Sequence, residues 1–110
     1  MPTDAEGNEV VMGPGRYRKR PLLVEAMEFD GTKHGARVIG HALDVGGPAG
    51  ERRIVYMPDP NGGDKGRISI HTLEGWLDVG EGTIVIRGTV GELYPCAPDV
   101  FTQIYERVDG

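Results

Sequence analysis

Punctuation by glycine and proline constrains this chain more than any other feature of its sequence. Eighteen Gly and eight Pro are spread over 110 residues, and they cut the apolar segments into runs that suit short strands and turns better than long helices. A core assembled from such pieces must come mostly from strands. The length suffices for one domain of ordinary size and leaves no room for a second core beside it.

Residues 1–15 contain Asp4, Glu6 and Glu9 without a Lys or Arg, end in Gly13-Pro14-Gly15, and carry a single apolar patch, Val10-Val11-Met12. That composition predicts a flexible acidic leader over 1–15, followed by one domain over 16–110. Tyr17 to Phe29 alternates as a strand, with Leu22, Val24 and Ala26 on one face and Leu23, Glu25, Met27 and Phe29 on the other. After Asp30-Gly31, either Asp30 or Thr32 can cap a helix at about 33–43, in which Ala36, Ile39 and Leu43 recur at helical spacing. Gly35 and Gly40 weaken that helix by about 1 kcal/mol each relative to Ala, so it needs a sheet to lie on.

Beyond Gly46-Gly47-Pro48, strands are expected at Arg52–Met57, Arg67–Leu73, Trp76–Val79 and Thr83–Arg87, the last three forming a meander. Ile68 and Ile70 face one way, Ser69 and His71 the other. Pro98 suits the start of a single helical turn over Asp99–Phe101, and Thr102–Val108 reads as a strand returning to the sheet. The fold class is therefore α+β: a small bent antiparallel sheet of five or six strands, or a partly closed β-barrel, with one helix and a short C-terminal helical turn.

Twelve basic and seventeen acidic residues give a net charge of −5, which opposes a general nucleic-acid coat and adhesion to anionic membranes. The leader holds three of those negative charges, so the folded part is near neutral. A lone Cys96 and the lack of an N-terminal secretory pattern point to a reducing cytoplasm, and no apolar run approaches the ~20 residues that span a bilayer.

Dense positive charge occurs at Arg16, Arg18, Lys19 and Arg20, and again at Arg52, Arg53, Lys65 and Arg67, which flank the long connection of a hairpin that would bring them together. Arg offers a fixed fork of donors to phosphate, and Arg18, Arg20, Arg52 and Arg67 are the candidate ligands of a small anion. The competing reading is a solvated strand edge of the kind that deters sheet-to-sheet pairing. Trp76 and Tyr94 are candidates for lining a pocket.

His34 and His41 stand seven apart, whereas metal ligands on adjacent helical turns need a spacing of three or four. No metal and no cofactor is expected. Cys96 reads as a packed thiol under Tyr94 and Phe101 rather than a nucleophile, and Asp99 as a cap of the short helical turn. No catalytic residue is assigned, since no acid–base pair, ligand cluster or phosphate loop is visible.

The two ends of the domain carry a further pattern. Tyr17-Arg18-Lys19-Arg20-Pro21, running on through Glu25-Ala26-Met27-Glu28-Phe29-Asp30-Gly31, and Gly91-Glu92-Leu93-Tyr94-Pro95-Cys96-Ala97-Pro98-Asp99-Val100-Phe101 resemble the opening and closing segments of the PGDYG group of small phage and prophage proteins. Thr72-Leu73-Glu74-Gly75 resembles a turn of the same group. Within the motif that names the group, Glu81, Thr83 and Ile84 stand in place of its Pro, Asp and aromatic residue. The resemblance implies a phage origin and a small sheet-based fold, and assigns no reaction.

Taken together, these features lead to a phage accessory protein that binds a host factor, or sequesters a small anionic ligand such as a nucleotide signal, without catalysis in the host cytoplasm. The alternatives are a small enzyme acting on an anionic substrate and a virion-associated structural protein. An open sheet edge also admits a homodimer.

Overall fold

Thr32 starts the longer helix because its side chain replaces a missing backbone partner. In the computed structural model, which describes residues 14–16, 22–44 and 52–108, the Thr32 hydroxyl accepts a hydrogen bond from the Gly35 amide at 2.8 Å. Asp30 in turn accepts from the Thr32 amide and hydroxyl, at 2.9 and 2.7 Å. Those bonds, the hydroxyl's first, hold the Asp30 carboxyl below its ordinary value. Helix α1 then spans Lys33–Leu43, burying Gly35, Ala36, Ile39 and Leu43. Gly35 leaves room for the Asp30 carboxylate, which a Cβ at that position would displace. Thr32→Ala is expected to lower stability by about 1 kcal/mol, measured as an earlier urea midpoint with an unchanged slope.

The described residues also form six strands: β1 (Glu25–Glu28), β2 (Ile54–Met57), β3 (Arg67–Thr72), β4 (Gly75–Val79), β5 (Ile84–Arg87) and β6 (Leu93–Cys96). They form two antiparallel three-stranded sheets, ordered β1-β5-β6 and β2-β3-β4. The α+β class is as expected, but the strands neither join one bent sheet nor close a barrel. The expected meander also ends at β4, since β5 pairs with β1 and β6 instead. Burial explains the exchange: Ile84, Val85 and Ile86 are all buried, so β5 needs a partner on each side, whereas Trp76, Leu77 and Asp78 of β4 are exposed and suit an edge. Gly82, at φ +91°, makes the transfer; its amide donates to the Phe29 carbonyl, and the Phe29 amide donates to the Thr83 carbonyl.

The core lies between α1 and the inner faces of both sheets, where Phe29, Ile39, Leu43, Ile68, Ile70 and Val85 are packed out of solvent. Helix α1 touches β1, β2 and β5, and β3 faces β6. Ile68 and Ile70 are buried while His71 on the opposite face is exposed, as their alternation predicts. The expected first strand is shorter than its pattern: Leu22 and Leu23 are exposed, and Tyr17–Pro21 lies outside the described residues, as does the leader up to Gly13.

The C-terminal segment differs from its reading as a strand. Helix α2 runs over Pro98–Ile104, with Pro98 pre-set for its first turn; its N-cap Ala97 makes no side-chain bond, and Asp99 stands inside the first turn, where a carboxylate suits the helix dipole. Tyr105 then stacks on Phe101 with ring centroids 4.8 Å apart, which satisfies its ring without a return to the sheet.

Candidate functional site

A two-residue turn brings apolar side chains to the surface where polar ones are usual. Between β3 and β4, the Thr72 hydroxyl accepts from the Glu74 amide at 3.1 Å and donates to the Gly75 carbonyl at 2.8 Å. This locks the Leu73-Glu74 turn, with Leu73 84% exposed. The hairpin end stands opposite β6, and a groove of about 420 Å³ lies between them. Leu73 and Leu77 line it from the hairpin, and Leu93, Tyr94 and Pro95 from β6. Glu74 and Glu92 add two carboxylates, and its lining includes no Lys or Arg.

Tyr94 brings the groove its phenol. Its hydroxyl lies 3.3 Å from that of Tyr105, and burial, followed by the bond to Tyr105, pushes its pKa above the ordinary 10.0. At neutral pH Tyr94 is therefore a neutral hydrogen-bonding group. With the Thr72 hydroxyl already engaged in the turn, the lining offers apolar contact, negative charge and hydrogen bonding, which is the chemistry of retention. Among the described residues, no three His, Cys, Asp or Glu side chains gather as a metal ion requires, and no helix is long and apolar enough to cross a membrane.

The residues singled out as ligands are dispersed. Arg18 and Arg20 lie outside the described residues. Arg67 pairs in register with Met57 and Ile70 with Ile54, so Arg52 falls opposite Thr72, five positions from Arg67 and ~17 Å away at the rise of a strand. The hairpin therefore separates these arginines instead of collecting them, because its long connection lies at the Arg67 end and Arg52 precedes the other end of β2. Arg67 donates to the Asp78 carbonyl at 3.1 Å, and Arg52 is exposed. Lys65 donates to the Asp30 carbonyl at 2.8 Å and lies 3.4 Å from Glu81.

Tyr94 is in the groove and Trp76 is not. Leu77 and Trp76 point to opposite faces of β4, and Trp76, half exposed, stacks on His71 with centroids 4.7 Å apart. Cys96 is half-buried, its thiol directed at the Ala97 carbonyl at 3.5 Å. Leu73, Leu77, Glu74 and Glu92 escaped sequence reasoning. Leu73 had a usable signal, a large apolar residue inside a two-residue turn where polar residues and Gly are favoured; Glu92 had none. No protein-family model, curated protein or solved structure matches this chain.

Proposed function

We propose that this is a phage accessory protein acting in the host cytoplasm by non-catalytic binding of a host protein. Its groove takes an extended segment in which leucine-like side chains alternate with basic ones. The observation that carries this reading is the groove itself, apolar along both walls and bearing Glu74 and Glu92 with no basic residue in its lining. Carboxylates beside an apolar trough favour a cationic partner and repel an anionic one, which ranks a protein segment above a nucleotide. The phage origin rests on the sequence resemblance alone.

Fluorescence polarisation with a labelled decapeptide of alternating Leu and Lys tests the reading against a Leu–Glu decapeptide. The Leu–Lys peptide is expected to bind and the Leu–Glu peptide not. Replacing Glu74 and Glu92 together by Gln should weaken binding about tenfold, since each charge-assisted contact outweighs a neutral one, and Leu73→Ser should weaken it further. Equal affinity for both peptides, or none for either, removes the groove as a binding site.

A further inference from the structure

Among the described residues the two sheets leave four strand edges, and two of them, β1 and β6, carry a feature that discourages pairing. Strand β1 presents exposed Glu25 and Glu28, and β2 lies against α1. On β6, the Gly88 amide donates to the Glu92 carbonyl, so alternation turns the backbone groups of Leu93 and Pro95 outward, and Pro95 has no N–H to offer.

Among the described residues, nothing of this kind protects strand β4. The His71 amide donates to the Arg53 carbonyl at 2.8 Å, which directs alternate residues of β3 towards β2 and leaves Ile68, Ile70 and Thr72 bonded towards β4. Register then commits Gly75, Leu77 and Val79 to β3 and turns the backbone groups of Trp76 and Asp78 to the free side. Of these four groups, the Asp78 carbonyl accepts from Arg67. The side chains along this edge are an exposed Trp76 and Leu77 with one charge, Asp78.

We propose that β4 pairs antiparallel with β4 of a second copy, about a two-fold axis at Leu77. That register sets Leu77 beside its own equivalent and Trp76 across from Asp78 of the other copy. No like charges lie directly opposite each other in this register. Trp76 and Asp78 exchange both main-chain hydrogen bonds across the axis, forming one six-stranded sheet from two β2-β3-β4 sheets. Arg67 competes for the Asp78 carbonyl and so holds the dimer weak. The dimer is independent of any segment bound in the groove.

Sedimentation equilibrium of the full chain over about a hundredfold range of concentration tests this. The mass should rise from 11.9 kDa towards twice that value. Asp78→Pro and Trp76→Pro each remove an outward amide, as Pro95 does on β6, without touching the bonds to β3; each should remain monomeric with an unchanged far-ultraviolet circular dichroism spectrum. Arg67→Gln frees the Asp78 carbonyl and should shift dimerisation to about tenfold lower concentration. A wild-type chain that stays monomeric throughout overturns the proposal, as does a dimer that survives in whichever proline variant folds, or an Arg67→Gln dimer no tighter than wild type.

Discussion

Replacing Phe29 with Ala is expected to lower the free energy of unfolding by about 3–5 kcal/mol. Its ring is fully buried in the cluster formed with Ile39, Leu43, Ile68, Ile70 and Val85, and its own amide and carbonyl bond to Thr83 and Gly82 at the entry to β5. The backbone is thus held in place around the vacated volume, which limits collapse and keeps the cavity cost high. Against a total stability of about 5–15 kcal/mol for a domain of this kind, the loss should leave a substantial unfolded fraction at physiological temperature. Urea denaturation of Phe29→Ala and Phe29→Leu provides the measurement, the Leu variant recovering most of the difference. A loss below about 1 kcal/mol in the Ala variant would contradict a core centred on this ring.

The second large effect concerns the one ion pair held largely out of solvent among the described residues. The Asp44 carboxylate accepts from the Arg53 amide at 2.8 Å and from Arg53 Nε at 2.9 Å, and Arg53 Nη1 donates to the Gly91 carbonyl at 2.7 Å. Their side chains are only 7% and 12% exposed respectively. Asp44 also ends α1, its amide donating to Gly40, so the pair ties the helix end, the start of β2 and the turn before β6. Asp44→Ala strands a guanidinium in a poorly hydrated site and is expected to cost about 3–5 kcal/mol. The Asp44→Ala/Arg53→Met double variant should lose much less than the sum of the single losses, because the orphaned charge is removed with its partner. Strict additivity across that cycle would show that the two side chains act separately.

The same pair shows why an arginine's role was not legible in the chain. Arg52 and Arg53 are adjacent and chemically identical, yet one is exposed and the other is enclosed by Asp44 and Gly91. Which of the two turns inward depends on the phase of β2 against α1 and β6, and both of those elements are distant in sequence. Glu92 is the same case: its place beside Leu73 and Leu77 exists only because the β3–β4 hairpin stands opposite β6. Its immediate neighbours do not encode that meeting.

Features settled within a few residues of the chain were legible in it. Helix α1 begins at Lys33 because Asp30 and Thr32 supply the bonds its first turn lacks, and Ala36, Ile39 and Leu43 give it one apolar face. Ile68 and Ile70 turn inward by the two-residue period of a strand. Strand pairing, by contrast, is set by long-range packing. Thr83–Arg87 follows β4 closely enough for a meander, but a strand buried at Ile84, Val85 and Ile86 is more stable with β1 on one side and β6 on the other. That exchange divides six strands into two sheets, opens the groove between the hairpin and β6, and leaves β4 at an edge. Local propensity cannot report such outcomes, since they follow from the total burial available to competing long-range pairings.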